Sequence, residues 1–447
     1  MSLDANCRKL GLTSLSDMQR ETIHAVMNTE DDVVVLSPTG TGKTLAYLLP
    51  LTEMMADDTL SAVVVVPGRE LALQSCQVMK SMACPLRPMA LYGGRPTMDE
   101  HRELRKIQPN IVFGTPGRLN DHIAKGNLPV DKVRWLVIDE FDKCLEMGFM
   151  DEMTTLISSL PAVRRRILLS ATDSETIPQY VNMQRMTLVD HRQDHAGNAE
   201  RIHLYTVKSD GKDKLPTLEK LLLDFGDEST VVFLNHRESV ERTARYLMEK
   251  GFAVSLFHGG LEQREREAAL YRFANGSANI LVTTDLASRG LDVPQIDNVV
   301  HYHLPETHAA YIHRTGRTAR WDRQGRAFFL LSDGETLPYL DFKSLPLFTP
   351  LSHREGQEGG PLPTPAKPKM VTLYIGKGKR DKLSKGDIVG FLCKKGGLQS
   401  SEIGMISVME RYTYVAVSRQ RVKSVLANVS GEKIKGVKTI VEMVRYE

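Results

Sequence analysis

Asp32-Val-Val-Val-Leu36 runs directly into Ser37-Pro38-Thr39-Gly40-Thr41-Gly42-Lys43-Thr44, and an apolar stretch beginning at Leu45 follows at once. A β-branched run, a glycine-rich turn and a helical repeat in that order decide the fold class, because they describe a strand feeding a phosphate-binding loop at a helix start. Thr39, Gly40, Thr41 and Gly42 supply backbone N–H groups that can wrap phosphates, and the helix N-terminus adds a favourable field. Lys43 is placed to hold the β- and γ-phosphates, and the Thr44 hydroxyl to ligate Mg²⁺. A glycine turn with no ligand is the plain alternative, and the strand–helix context speaks against it. The loop reads as a nucleoside triphosphate site.

Outward from the loop, short β-branched runs recur at the spacing of a parallel α/β sheet: Ala62-Val-Val-Val-Val66, Ile111-Val-Phe113, Trp135-Leu-Val-Ile138 and Arg166-Ile-Leu-Leu-Ser170. Amphipathic stretches lie between them. Asp139-Glu-Phe-Asp142 closes one such strand, which is expected beside the loop strand with Phe141 turned away from the flanking acids by strand alternation. An acid at that strand end faces the phosphates, so Asp139 can hold Mg²⁺ and Glu140 can act as general base on the attacking water. Residues 190–200 are polar and aperiodic and read as a linker. The strand pattern then restarts at Thr230, Val254, Ile280, Asn298 and Ala327, giving a second α/β domain.

Residues 351–369 are rich in proline and glycine and read as a flexible tether, about 25 Å long on average. The remainder alternates as βαββαβ, the order of a small single-sheet RNA-binding fold. The net charge of +3 over 447 residues hides an asymmetry. From Pro361 onward 17 lysines and arginines stand against 7 acids, leaving 41 against 48 in the rest. A basic tail on an acidic body points to a polyanion partner. With 41% hydrophobic and 25% charged residues, wholesale disorder, collagen and coiled coil are excluded. No apolar run reaches the ~18 residues of a membrane helix. Five scattered cysteines without a CxxC pair suit a reducing cytoplasm better than a structural zinc site.

With these motifs in place, the chain resembles the DEAD-box ATP-dependent RNA helicases, superfamily 2 enzymes with two RecA-like domains, from about Leu10 to Ser332. Pro67-Gly-Arg-Glu-Leu-Ala72, Gly93-Gly94 and Thr115-Pro-Gly-Arg118 resemble the family's RNA-backbone elements, which implies RNA contacts for Arg69, Gly94, Thr115 and Arg118. Ser170-Ala-Thr172 resembles the motif coupling hydrolysis to domain closure, with Asp142 as its partner. Two departures stand out: Phe141 replaces the alanine of the DEAD box, and the adenine-reading segment ending at Gln19 lacks the stacking aromatic.

In the second domain, Phe233-Leu-Asn235, the Gln263-Arg-Glu-Arg266 element, Thr283 to Asp292 and His313 to Arg320 resemble the remaining motifs. The resemblance implies RNA contacts for Gln263, Arg266 and Thr283, nucleotide binding for Arg289 and Asp292, coupling through His313, and arginine fingers at Arg317 and Arg320. It also implies that the active site is complete only when the domains close, so RNA and ATP bind cooperatively and duplexes are opened locally. The tail resembles the RNA-recognition domain of DbpA-type bacterial helicases, which target large-subunit ribosomal RNA. Lys377, Lys379, Arg380, Tyr412 and Tyr414 are its candidate RNA contacts.

The expected architecture is therefore two tandem RecA-like parallel α/β domains, 1–196 and 197–350, a linker at 351–369, and an α+β domain of RNA-recognition type at 370–447. The expected activity is an RNA-stimulated ATPase that remodels structured RNA. An ATP-gated RNA clamp with little turnover and a DNA helicase are the alternatives. ATP and Mg²⁺ are the expected cofactors, and a large-subunit ribosomal RNA hairpin the expected partner, with no membrane.

Overall fold

The computed structural model describes residues 3–444 except 39, 56–58, 95–96, 172–180, 184, 193–200, 210, 286–295, 319–323 and 351–363. Thr39, Thr172, Arg289, Asp292 and Arg320 thus lie outside the described residues, as does most of the proline/glycine segment.

The first sheet comprises β1 (Asp32–Leu36), β2 (Ala62–Val65), β3 (Pro88–Leu91), β4 (Ile111–Gly114), β5 (Trp135–Ile138), β6 (Arg165–Ser170) and β7 (Met186–Asp190). Its order is β3-β4-β2-β5-β6-β1-β7, and every pairing is parallel. Strands β1 to β5 are buried throughout, as continuous apolar runs covered on both faces require. One core, around Val33, Val35, Tyr47 and Val64, lies on one side of the sheet, and a second, around Val34, Leu136, Phe141 and Leu168, on the other.

Two expectations about the acidic segment are corrected here. The Asp139 strand is not beside the loop strand: β6 is inserted between them and pairs with both. Phe141 does not continue β5 either. The strand ends at Ile138, and Phe141 opens the Phe141–Glu146 helix, fully buried in the second core. Helical rather than strand geometry therefore turns its ring inward. The polar stretch taken for a linker starts on Asp190, the last residue of Met186–Asp190, an edge strand paired to β1, and its residues 193–200 lie outside the described residues.

The second sheet comprises β8 (Ile202–Lys208), β9 (Thr230–Phe233), β10 (Val254–Phe257), β11 (Ile280–Thr283), β12 (Asn298–His301) and β13 (Gly325–Leu331). Its order is β10-β11-β9-β12-β13-β8, again parallel. The tail forms β14 (Met370–Ile375), β15 (Ile403–Val408), β16 (Thr413–Ser418), a short hairpin of β17 (Lys433–Ile434) and β18 (Val437–Lys438), and β19 (Val441–Met443). The antiparallel order β15-β16-β14-β19 carries the Lys385–Lys394 and Val422–Val429 helices on one face. The hairpin is the one addition to the expected βαββαβ order. The second sheet and the tail belong to one compact unit, and the first sheet to another.

Candidate nucleotide and RNA site

In a parallel sheet, loops that bind ligands leave the carboxyl ends of the strands. In the first domain the ends divide into two neighbouring groups. The loop strand β1, the Ser170 strand β6 and the Asp139 strand β5 are consecutive, and they bring the nucleotide motifs together. Strands β2, β4 and β3 are likewise consecutive, and Arg69, Thr115 and Gly94 follow their ends. One sheet edge therefore collects the expected phosphate chemistry, and the other the expected RNA elements.

The loop is shaped by two left-handed glycines, Gly40 (φ 84°) and Gly42 (φ 85°), the latter capping the Lys43–Met54 helix. Ser37 Oγ donates to Thr41 Oγ1 at 2.9 Å, and Thr41 Oγ1 donates to the Pro38 carbonyl at 2.9 Å. The buried Lys43 amine donates to the Pro38 carbonyl at 2.7 Å and to that of Ser37. Thr44 sits in the first turn of the same helix. Gln19 joins this group: its Nε2 donates to the Gly42 carbonyl at 3.2 Å while its Oε1 accepts from the Ser16 amide at 3.0 Å. The carboxamide thus ties the Asp17–Asn28 helix to the phosphate loop.

Asp139 is 3% exposed, and its amide donates to the Val65 carbonyl at 2.9 Å. Burial raises its carboxyl to about 6 from the ordinary 3.8, against the opposing pull of the Lys43 ammonium. The Tyr47 hydroxyl lies beside it, itself pushed well up by burial and by the Asp139 charge. Glu140 caps the next helix in the left-handed region, φ 53° and ψ 50°, a conformation that costs a side-chain-bearing residue ~1–3 kcal/mol and gathers at functional sites. Asp142 is buried in that helix, and Ser170 is buried at the end of β6, its carbonyl accepting from the Ser37 amide at 3.0 Å.

On the RNA side, the Arg69 guanidinium lies over the Gly93-Gly94 turn, so a Cβ at Gly94 would come within 2.5 Å of Nη1. Gly94 has φ +90°, so both space and backbone call for glycine. Thr115 precedes the Pro116–Ala124 helix. Arg118 is held inward: its Nε donates to the fully buried Glu100 at 2.7 Å and its Nη1 to Thr97 Oγ1 at 3.0 Å. Glu100 also meets His122 Nε2 at 2.9 Å. Sequence reading missed Glu100 and His122; the signal was an acid at a buried position, one turn before Leu104, on an otherwise polar helix.

In the second domain, Thr283 ends β11 with its hydroxyl donating to the Phe257 carbonyl at 2.8 Å. Gln263 and Arg266 sit in the first turns of the Gln263–Ala274 helix, Arg266 buried with its guanidinium 5.2 Å from the Phe257 ring centre. His313 is buried, and its carbonyl accepts from Arg317 Nε at 3.3 Å. A further residue of this motif, Arg314, is fully buried. It donates to Asp285 at 2.8 Å, to Asn235 Oδ1 at 2.8 Å and to the His303 carbonyl at 2.8 Å, joining three motif segments. In sequence Arg314 was one arginine among several.

In the tail, Lys379 and Arg380 are exposed, and Lys377 pairs with Asp381 at 3.2 Å. Tyr412 and Tyr414 do share a face with Tyr374, with ring centres 5.1–6.0 Å apart. They are not open: that face packs on the Gln263–Ala274 helix.

The comparisons with known proteins agree with this division. A model of DEAD/DEAH box helicases matches residues 16–179, one of the helicase conserved C-terminal domain residues 213–322, and one of the DbpA RNA binding domain residues 372–443. ATP-dependent RNA helicase DbpA of Escherichia coli is 34% identical over 437 residues, 96% of this chain and 94% of that protein. DbpA of Bacillus subtilis is 30% identical over 453 residues, with the same coverage of 96% and 94%. Among solved structures, S. cerevisiae Dbp5 bound to RNA and ADP BeF3 matches with a TM-score of 0.68 and 26% identity, over 74% of this chain and 87% of that one. Mss116 bound to ssRNA and UDP-BeF matches at 0.66 and 25%, over 74% and 73%.

Proposed function

This chain belongs to the DEAD-box ATP-dependent RNA helicases of DbpA type, and from that premise we propose that its target is structured large-subunit ribosomal RNA, remodelled during ribosome assembly in the cytoplasm. The observation that carries the proposal is the tail. It matches the DbpA RNA binding domain, follows the expected βαββαβ order of elements with a short hairpin added, and exposes Lys379, Arg380, Lys394, Lys433 and Lys438. Contacts to phosphates fix position without reading sequence. A helicase core that grips RNA backbone therefore needs a separate module to choose its target.

Within the core, the proposed chemistry follows the site. The loop N–H groups and Lys43 bind the triphosphate, Glu140 takes the proton of the attacking water, and Arg317 and Arg320 stabilise the charge of the transition state. Asp142, Ser170, Thr172 and His313 couple hydrolysis to domain closure. The residues present suit Mg²⁺: Thr44 offers a hydroxyl, and Asp139 a buried carboxylate whose charge burial disfavours, so a hard-oxygen pair awaits a cation. Bound with ATP, that ion would neutralise phosphate charge.

The test compares ATPase stimulation by large-subunit ribosomal RNA, small-subunit ribosomal RNA, random RNA and single-stranded DNA. Large-subunit RNA should stimulate half-maximally at a concentration at least about tenfold lower than random RNA. Lys379→Glu with Arg380→Glu should erase that preference and flatten its salt dependence by roughly 0.7 per lost phosphate contact. Equal stimulation by both ribosomal RNAs would overturn the target. Stimulation by DNA as strong as by RNA would favour a DNA substrate.

A further inference from the structure

Strands β3 and β4 pair in parallel and leave the first sheet at one level, with Leu91 opposite Gly114. From there the chain passes into two of the expected RNA elements, the Gly93-Gly94 turn after β3 and Thr115 after β4. The two exits are pressed together. A Cβ on Gly114 would come within 2.9 Å of the Leu91 carbonyl, which accepts from the Thr115 amide at 3.3 Å. Backbone contact thus fixes where the two elements start, but not how the Pro116–Ala124 helix is turned against the Gly93-Gly94 side.

A buried carboxylate supplies that second restraint. Glu100 lies one turn into the Thr97–Ile107 helix, on the chain returning from the Gly93-Gly94 turn, and is fully buried. Its Oε2 accepts from Arg118 Nε at 2.7 Å and meets His122 Nε2 at 2.9 Å. These two partners stand four positions apart on the Pro116–Ala124 helix, so they share one face of it. Asn127 Nδ2 lies 3.3 Å from His122 Nδ1; with that amide donating, the imidazole proton sits on Nε2 and points at Glu100. Glu100 Oε1 accepts from the Tyr92 amide at 3.4 Å, directly before Gly93. One carboxylate therefore joins the strand that leads into one RNA element to the helix that follows the other. The Arg118 side chain is only 11% exposed, and its Nη1 donates to Thr97 Oγ1 at 3.0 Å and to Asp121 Oδ2 at 3.5 Å. A guanidinium enclosed in this way by groups of its own domain is turned away from a polyanion outside.

We propose that Glu100 is a positioning residue for RNA: it locks Arg118 and His122 to the Gly93-Gly94 side, holding Gly94 and Thr115 at one fixed spacing, and Arg118 acts through this lock instead of touching phosphate itself. The proposal rests on the reading of Gly94 and Thr115 as RNA-backbone elements. Removing either partner of such a pair leaves a buried charge unmatched. The helix must then turn or water must enter, and the two elements lose their common alignment. The loss falls on RNA affinity more than on turnover, because the nucleotide motifs leave the other group of strand ends.

The test is a rescue in the full chain, read by ATPase stimulation with poly(U), an RNA without hairpins. Arg118→Gln places an amide nitrogen as many bonds from Cα as the Nε that meets Glu100, and Glu100→Gln keeps an oxygen with two lone pairs for both donors. Arg118→Gln alone leaves the carboxylate without its cation. The poly(U) concentration for half-stimulation should rise about tenfold or more, while turnover at saturating poly(U) stays within about threefold. Combining Arg118→Gln with Glu100→Gln restores a neutral hydrogen-bonded pair and should return half-stimulation to within about threefold of the parent, with the salt dependence of poly(U) binding unchanged. A direct phosphate contact would behave oppositely: the double variant would stay as weak as Arg118→Gln, with a salt slope shallower by ~0.7, and that result overturns the proposal. If Arg118→Gln does not fold, the double variant against the parent decides alone, and a gap of more than about threefold overturns it. Gly94→Ala separates the underlying reading. A weakened poly(U) response there, with Arg118→Gln parental, overturns the role of Glu100 alone. A parental response in both removes the RNA role of the two elements, and the proposal with it.

Discussion

Replacing Asp139 by asparagine should stabilise the nucleotide-free protein while abolishing its ATPase. The Asp139 carboxyl is raised from 3.8 to about 6, chiefly by burial. A carboxyl with a folded value above its unfolded one contributes stability that is fully present below pH 4 and is lost as pH rises through 6. At ~1.4 kcal/mol per unit, ionising Asp139 costs the folded domain about 3 kcal/mol at pH 7–8. Asparagine keeps the shape and never ionises. Lys43 is not stranded by the change, because it keeps the Ser37 and Pro38 carbonyls. For a domain of roughly 200 residues, each kcal/mol moves the melting temperature by about 2–4 °C, so a rise of about 6–12 °C is the ceiling at pH 8. At pH 5 the folded carboxyl is mostly protonated while the unfolded one is not, and the advantage should shrink to about half. Trp135 lies in the first domain and Trp321 is the second of only two tryptophans, so a Trp321→Phe background makes Trp135 fluorescence report on this domain alone. Melts should be run without nucleotide and with magnesium chelated. Equal melting of parent and Asp139→Asn at pH 8, or an advantage at pH 5 as large as at pH 8, would refute the buried, disfavoured carboxylate.

Glu140→Gln should bind ATP and RNA as the parent does, yet slow hydrolysis by a factor of about 10² or more, the ordinary contribution of a general base; single-turnover ATPase measures it, and near-parental rates would remove Glu140 from that role. Gly94→Ala forces a Cβ to within 2.5 Å of Arg69 Nη1 on a backbone at φ +90°. It should raise the RNA concentration for half-stimulation on the order of tenfold, since a displaced charged hydrogen bond is worth ~1.5–3 kcal/mol, while ATP affinity without RNA stays unchanged.

What could be read in the sequence was whatever local pattern determines. The loop from Ser37 to Thr44, the strands ending at Ile138 and Ser170, and the tail's βαββαβ order of elements follow from β-branched runs, turn residues and spacing within one or two elements. Elements with weak local signals escaped. Pro88–Leu91 has no β-branched residue, and Met186–Asp190 is an edge strand with mostly exposed side chains, so neither looks like a buried parallel strand. Phe141 was assigned to the wrong element because the strand stops at Ile138, three residues before it, and a boundary error of that size exchanges strand alternation for helical rotation. The largest revision concerns the tail, where the local readings were sound but their partner was not visible. Arg264 was read only as part of the Gln263–Arg266 element, and Tyr412 and Tyr414 as candidate RNA contacts. Tyr412 meets Glu267 across 145 positions of chain, and no periodicity spans that distance. Two surfaces that each seemed to await a partner from outside turn out to be complementary: a cation for aromatic faces, a carboxylate for a phenol, a tyrosine ring for a tyrosine ring. A tether rich in proline and glycine lets such surfaces meet, but its composition only limits how far apart they can be. Once they dock, geometry is set by the contact and not by the tether's length. The second sheet and the tail thus belong to one compact unit, joined by contacts that no local pattern in either segment announces.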